Sequence, residues 1–461
     1  MIKAHANEIE EARTSPAIQT YSWSNSALYC YFLALMAWAP LPLASNRDWS
    51  TRLLACLLIT GLVLALVLLF TRHLRVTPAF RRAWLPLAAL VLTQVWVALQ
   101  LLLSVSVEPD STRQALLFGC GLTAAFVLVL LLVDSRERVL TTAKTLVLCG
   151  VVQAFFAAVM MMSSIEQISL LDKTFVRSYA SGTFANRNHL AGFLEMNLAI
   201  GIGMLVAQLH RHPSANWRQF MRRTIDTVLS SKFRLRLYLV IMVIALVLTR
   251  SRMGNTAFFS SLLICGVVGM ILQGRVNRNT VIFFASLLVI DLYLVGSWFG
   301  VQEVVERLQS TTLAGDRRDE VAIDSFLMWR DNFWFGTGAD TFFWAYVHGG
   351  YMSPDSLWYR HAHNDYLEIG TGFGFIGFTL LAIVVVSSLW QALQAQRLSR
   401  SRVMRGLGFA ATMGITSILI HSFADFNLHI PANSLWFVVI LALAWVARCT
   451  KSGRADNALE P

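Results

Sequence analysis

Residues 53–70 read LLACLLITGLVLALVLLF, an uninterrupted apolar run with no charged side chain. As an α-helix, a run of this length extends about 27 Å, close to the hydrocarbon thickness of a bilayer, which is about 30 Å. A helix also satisfies all its backbone hydrogen bonds internally, as the absence of water in the bilayer requires. This run therefore predicts a membrane-spanning helix.

The same pattern recurs along the chain and predicts an all-α polytopic membrane protein with about twelve transmembrane helices. Overall, 56% of the 461 residues are hydrophobic and 14% are charged, whereas soluble domains carry about 25% charged residues. The predicted spans are 28–44, 53–70, 83–105, 115–133, 140–162, 189–209, 237–249, 255–272, 281–300, 366–389, 407–422 and 431–447.

The distribution of basic residues predicts the orientation. If the N-terminus is cytoplasmic, 25 of the 38 Lys and Arg residues lie in the tails and loops of that side, as the positive-inside rule requires. The predicted division is 1–27 cytoplasmic tail, 28–300 nine spans, 301–365 periplasmic loop, 366–447 three spans and 448–461 cytoplasmic tail. We therefore interpret the net charge of +11 as topology and contact with anionic membrane lipids, and expect no nucleic-acid partner.

The long outer loop is rich in Trp, Phe and Tyr between residues 329 and 359. Disordered segments are poor in aromatic residues, so we expect a folded, partly helical cap, although some of these rings can belong to the interfacial belt. The six cysteines form no C-x-x-C pair, which argues against a disulfide framework or a structural zinc site.

Four polar clusters fall on the predicted outer face. The first, at 186–189, comprises Asn186, Arg187, Asn188 and His189. We expect Asn188 to cap the helix that follows, and a helix N-terminus beside an arginine favours an anion such as a phosphate. The alternative is a capping turn whose arginine extends to the interface.

The second cluster, at 249–254, contains Arg250 and Arg252 in a short outer turn. Arginine in such a turn needs a partner, and a guanidinium binds phosphate oxygens through two parallel hydrogen bonds. The alternative is an ion pair with an acidic residue of the long loop. A third basic pair, Arg317 and Arg318, lies among acidic residues and predicts a solvated turn.

The third cluster closes the long loop and opens the tenth span. A neutral imidazole can accept a proton from a sugar hydroxyl, and Asp365 or Glu368 can orient it. A His-x-His pair can instead bind a metal, but a catalytic zinc site normally needs three protein ligands and no third is apparent. We therefore expect no metal or other cofactor. The residues of this cluster are Arg360, His361, His363, Asn364 and Asp365.

The fourth cluster links the last two spans and includes His421, Asp425 and Asn427. These side chains can line the same outer cavity, although a plain helix–turn–helix with Pro431 at a helix start also fits. Within the spans, Glu195 and Asp291 are costly in lipid and should face the interior of the bundle.

One motif resembles a known family. His363-Asn364, nine residues at 365–373 and then Gly374-Phe375-Ile376-Gly377 are similar to the signature at the end of the large periplasmic loop of the O-antigen ligase/polymerase superfamily. The resemblance extends to the clusters at 186–189 and 249–254 and to the number of spans, over roughly 175–431. It implies a large helical bundle of the GT-C-like glycosyltransferase type.

The resemblance also implies a function: metal-independent, inverting transfer of a glycan from undecaprenyl pyrophosphate to an acceptor hydroxyl at the periplasmic face of the inner membrane. Arg187 and Arg250 or Arg252 would hold the pyrophosphate, and His363 would activate the acceptor. The other clustered residues would bind substrate. The acceptor would be lipid A–core in a ligase, a lipid-linked repeat in a polymerase, or Ser or Thr in a protein O-oligosaccharyltransferase, and we expect the first.

A transporter or flippase for lipid-linked glycans is the alternative of another class. Transport predicts polar residues through the whole depth of the bundle, whereas here they stop mostly at the outer end, with Glu195 and Asp291 as partial exceptions.

Overall fold

The computed structural model describes residues 21–163, 167–168, 173–174, 178–208, 231–273, 285–286, 289, 318–352 and 358–450. Its helices, in chain order, are α1 Trp23–Trp38, α2 Asp48–Phe70, α3 Pro78–Arg82, α4 Trp84–Leu102, α5 Pro109–Leu132, α6 Arg136–Met162, α7 Arg187–Ala207, α8 Ser231–Leu248, α9 Arg252–Gln273, α10 Arg318–Asp331, α11 Phe342–His348, α12 Asp365–Leu398, α13 Arg402–His421 and α14 Pro431–Cys449. Two short strands, β1 Gln167–Ile168 and β2 Lys173–Thr174, pair antiparallel.

Nine helices in the described part of the chain are long and apolar enough to cross a membrane, namely α2, α4, α5, α6, α7, α9, α12, α13 and α14. The predicted count of twelve is therefore not confirmed. The first predicted span forms α1, which has only 16 residues, and the seventh forms α8, which carries three basic residues near its start. Of the ninth, at 281–300, only residues 285–286 and 289 are described, and Asp291 and Arg317 lie outside the described residues.

The centre of the bundle is formed by α7, α13 and α14. The most apolar window of α14 is 89% buried, whereas that of α2 is 28% buried and faces outward. Helices α7 and α13 approach each other where Gly203 and Gly406 meet, each so close to the other's carbonyl oxygen that a side chain would not fit. Small residues at such crossings allow close backbone contact between membrane helices.

Helix α12 is broken at Gly374, whose φ is +65° and ψ is −179°. A left-handed or related conformation of this kind favours glycine because it has no Cβ. The segment 333–338 satisfies backbone groups around the break, with hydrogen bonds from Thr337 N to Thr371 O (2.8 Å) and from Phe375 N to Phe333 O (2.7 Å). Gln100 of α4 donates to the carbonyl of Gly372 at 2.9 Å. The glycines of the motif thus serve backbone packing.

Two helices lie within the predicted long loop. A separate apolar core forms between α10 and α11, with Val321, Met328, Phe342 and Tyr346 fully or almost fully buried. Ala362 and Leu367 pack against the same core. The loop is therefore attached to the start of α12, and this contact fixes the segment that carries His361 and His363.

Candidate active site

The polar clusters predicted from the sequence meet at one end of the bundle. The start of α7 is joined to the α13–α14 link, because Asn433 donates to the carbonyl oxygen of His189 at 2.9 Å and to the side chain of Asn427 at 2.9 Å. The start of α12 joins the same link through Asp365 N, which donates to Ser422 O at 3.0 Å and to Asp425 O at 3.1 Å. Three of the four clusters thus share one hydrogen-bonded framework.

His363 lies immediately before α12 in an unusual backbone conformation. Its φ is +49°, a region that costs a residue with a Cβ about 1–3 kcal/mol and that recurs at functional sites. The next residue, Asn364, caps α12 by accepting hydrogen bonds from Tyr366 N and Leu367 N, and donates to Phe423 O at 3.0 Å. The cap therefore holds the strained histidine in place. Arg250 and Asp340 also have positive φ.

Asp425, in the α13–α14 link, faces His363. It is fully buried, and its Oδ1 lies 3.9 Å from His363 Nδ1 and 3.7 Å from His189 Nε2, while its Oδ2 lies 3.7 Å from His421 Nε2. Burial alone would raise the pKa of this carboxyl, but His189 and His421 outweigh it and hold the pKa well below its usual range. A negative charge is thus fixed among three imidazoles.

A buried ion pair lies beneath Asp425. Glu195 accepts hydrogen bonds from His421 Nδ1 at 2.8 Å and from Ser417 Oγ at 2.5 Å, and both ends of the pair are fully buried. Glu195 thus faces the interior of the bundle, as the cost of charge in lipid requires. Glu195, His421 and Asp425 form a continuous chain of groups that ends at His363.

A second network surrounds His361. Its Nδ1 donates to Glu368 at 2.7 Å, and the other oxygen of Glu368 accepts from Ala362 N at 2.9 Å. His429 bridges Glu368 (3.5 Å) and Asp365 (3.1 Å). Burial by itself would lower the pKa of His429, but Glu368 and then Asp365 raise it to about 10. Glu368 thus orients His361, as expected for a histidine of this cluster. Asp365 contacts His429 instead, and the carboxylate that faces His363 is Asp425.

Phe426 separates the two networks. Its ring stacks on His361 with centroids 4.0 Å apart, and His363 and His189 contact it edge-on at 5.0 Å and 4.6 Å. The Phe426 ring thus lies between His361, which is paired with Glu368, and His363, which faces Asp425.

The predicted arginines lie at the edge of this framework. Arg187 begins α7 and stacks over the ring of Tyr179 at 4.8 Å. Arg250 and Arg252 are exposed, and among the residues that the structure describes neither forms an ion pair. The α8–α9 turn packs closely on α7. A side chain added at Gly254 would collide with Ala191 and come close to Glu195. The alternative of an ion pair for Arg250 or Arg252 is thus not supported within the described segments.

Other sequence predictions fit less well. The cap of α7 is Asn186, which accepts from Asn188 N at 2.9 Å, so the expectation of a cap at Asn188 is wrong by two residues. Arg360 is exposed and makes no hydrogen bond or ion pair with the described residues. Arg318 begins α10, which replaces part of the turn expected around the basic pair.

Several residues of the framework were not among the predicted site residues, including Glu195, Asp340, Glu368, Phe426 and His429. His429 had a usable signal, since it lies two residues after Asn427 in the same link. Asp340 gave none. It precedes α11 and is exposed at the surface, but nearby protein partly desolvates its carboxyl and raises the pKa, a change opposed by His429 and His361.

Among the residues described, no group of three or more His, Cys, Asp or Glu side chains is arranged to hold a metal ion. The arrangement instead offers one imidazole beside a fixed carboxylate, a second imidazole paired with a glutamate, and guanidinium groups at the rim. Such a set can move a proton and bind an anion.

A family model described as O-antigen ligase matches residues 237–382, a stretch that contains Arg250, Arg252, His363 and the glycine motif. A search of curated proteins found no match. The predicted resemblance is confirmed over this stretch: the match at residues 237–382 supports the O-antigen ligase-type superfamily.

Proposed function

We propose that this protein is a metal-independent, inverting glycosyltransferase that moves a glycan from undecaprenyl pyrophosphate to an acceptor hydroxyl at the periplasmic face. The family match supports glycosyltransferase activity of the O-antigen ligase/polymerase type in a multi-pass membrane protein. The observation that carries the finer proposal is the position of His363, which lies in a left-handed conformation before α12 and 3.9 Å from the buried carboxylate of Asp425.

His363 is the proposed base. Its Nδ1 faces Asp425, so we assign Nε2 to the acceptor hydroxyl. As the hydroxyl oxygen attacks the anomeric carbon, its proton passes to His363, and the Asp425 charge stabilises the imidazolium that forms. The bond from the anomeric carbon to the pyrophosphate oxygen breaks, and undecaprenyl pyrophosphate leaves with the electron pair. Attack from the opposite face inverts the anomeric configuration.

The arginines are the proposed anion site. Arg187 at the start of α7, with Arg250 and Arg252 in the α8–α9 turn, would bind the pyrophosphate and stabilise the charge that it gains on leaving. Asn186, Asn188 and His189 would complete the donor side. His361, Asn364, Asp365, His421 and Asn427, with Arg360 at the entrance, would shape the acceptor side.

We further propose lipid A–core as the acceptor, which makes the protein an O-antigen ligase. The support is the full match of the histidine and glycine motif at 363–377 to the ligase signature. The test is in vitro transfer by the purified full chain from lipid-linked glycan, offered lipid A–core or a second lipid-linked glycan. Product with lipid A–core alone supports the ligase, and product with the second glycan alone shows a polymerase.

The matched variants are His363→Asn and His348→Asn. His363→Asn should lose about 10²–10⁴-fold in rate, as expected for removal of a general base. His348 lies on the surface at the end of α11, and its variant should keep full activity. Full activity of His363→Asn would overturn the mechanism. Movement of lipid-linked glycan across vesicles without any product would show a transporter.

A further inference from the structure

A cavity of about 280 Å³ lies at the end of the bundle opposite the candidate active site. It is enclosed by the start of α6, the end of α7 and the start of α13. Helix α7 begins at the active site with Arg187 and ends at this cavity with Ala207, a length of about 30 Å at 1.5 Å per residue. The two sites therefore lie at opposite surfaces of the membrane.

The lining of the cavity has two chemically different parts. Arg136, Arg400 and Arg402 supply positive charge. The remaining wall is apolar apart from Gln208 and includes Leu140 of α6 and Met204 of α7. A site that binds only a soluble anion does not need an apolar wall.

The charged part also lies at two helix starts. Arg136 is the first residue of α6 and Arg402 the first residue of α13, so the backbone N–H groups of both helices add positive potential. For α6, Ser135 occupies one of these donors by accepting from Arg138 N. For α13, the N-cap Ser401 makes no side-chain hydrogen bond to the helix, and its buried Oγ has no partner among the described residues.

We propose that this cavity binds the phosphate of an anionic phospholipid headgroup, with an acyl chain along its apolar wall. Arginine pairs well with phosphate oxygens, and basic pockets between membrane helices bind such headgroups. The position at the membrane surface supplies the lipid directly. Inorganic phosphate shares the anionic chemistry but lacks the chain that would cover the wall formed by Leu140 and Met204.

The experiment uses the purified full chain in mild detergent, after removal of bound lipid. Native mass spectrometry and thermal unfolding are measured with phosphatidylglycerol, with phosphatidylcholine and with inorganic phosphate. Retention of phosphatidylglycerol, with a rise in melting temperature that grows with its concentration, supports the proposal. Equal effects of phosphatidylcholine would show a non-specific lipid contact, and stabilisation by phosphate alone would show an ion site; both overturn it.

Arg400→Gln and Arg397→Gln form a matched pair. Both residues are exposed and lie near the α12–α13 link, but only Arg400 lines the cavity. Arg400→Gln should weaken phosphatidylglycerol binding about tenfold, the effect of losing a hydrogen bond to a charged group, while Arg397→Gln should not. Equal binding by the two variants contradicts the proposed site.

Leu140→Trp tests the apolar wall by filling part of the cavity. It should displace the lipid while leaving all three arginines in place. Its unfolding without lipid is compared with that of the wild type, so that a folding defect is recognised. A folded Leu140→Trp protein that binds phosphatidylglycerol as the wild type does would place the lipid elsewhere.

Discussion

His363, the proposed base, lies in a strained backbone conformation. Its φ of +49° is tolerated best by Gly, Asn and Asp, and is worst for β-branched residues. The hydrogen bonds of the neighbouring Asn364 cap hold the conformation. Because the surrounding contacts hold His363 in this strained conformation, substitutions can separate its effect on stability from its proposed role in transfer.

We predict that His363→Asn is as stable as the wild type or slightly more stable, although inactive. His363→Val should be destabilised by about 1–3 kcal/mol because the left-handed conformation excludes β-branched side chains. Thermal or denaturant unfolding of the purified proteins measures both. If His363→Val were as stable as His363→Asn, the backbone at this position would not be left-handed.

His429 predicts a pH dependence of stability. Its folded pKa, raised to about 10 by Glu368 and Asp365, exceeds the unfolded value of about 6.5. Between these values the folded state binds more protons than the unfolded state, so stability falls as pH rises. The contribution of His429 is complete below pH 6.5 and is lost as pH passes through about 10.

The comparison is His429→Gln against the wild type, by thermal unfolding from pH 6 to pH 10. The variant should be less stable at pH 6, and the difference should shrink toward pH 10. Lys173, whose pKa burial lowers to about 7, has the opposite effect in the same range, so the wild-type profile alone does not isolate His429. A difference that is constant with pH would contradict the assignment.

At the scale of elements, the break in α12 ties the motif glycines to the fold. A methyl group on Gly374 would collide with the backbone of Trp334 and Gly336, and its φ of +65° is unfavourable for alanine. Because the segment 333–338 bonds to α12 on both sides of Gly374, the break aligns the cap with the start of α12, where His363 lies.

Gly374→Ala should therefore destabilise the protein by at least about 1 kcal/mol, because alanine would be forced into a strained conformation. It should also reduce transfer. Gly350→Ala is the control, since Gly350 also has positive φ (+77°) but has no atom within 4 Å of an added Cβ. Gly350→Ala would have the same kind of backbone strain as Gly374→Ala but would cause no steric collision. Equal destabilisation of the two would show that the close packing at Gly374 contributes nothing.

At the scale of the whole molecule, the sequence predicted the class and the end of the bundle where the polar clusters meet. Apolar runs are recognised by length alone, and His363, His189, His421 and Asp425 stood in recognisable helix-end clusters. The contacts between these residues were harder to predict from the sequence. That Asp425 and not Glu368 faces His363 depends on how α12 packs against the α13–α14 link, and Asp340 is brought to the site by tertiary contacts with no local pattern.

The orientation of the molecule remains a prediction of the charge distribution. Single cysteines at Ala185 and Ser399, in a chain whose six native cysteines are replaced, test it with a membrane-impermeant maleimide. Ala185 is exposed before α7 and Ser399 follows α12 at the opposite end. Position 185 should react in intact spheroplasts and position 399 only after lysis. The reverse pattern would place the active site in the cytoplasm.

The burial of α14 has a consequence for biogenesis. This helix is the most enclosed of the membrane-crossing helices described, with 89% of its apolar window buried, yet it is synthesised after the helices that surround it. Chains emerge from the ribosome N-terminus first. Until α14 is inserted, the faces of α7 and α13 that pack against it are therefore covered by lipid or by an insertion factor. Asn433, which joins His189 to Asn427, arrives with α14. The candidate active site therefore cannot assemble before α14 has been inserted, and a nascent chain that stops short of α14 carries the motif without the framework around it.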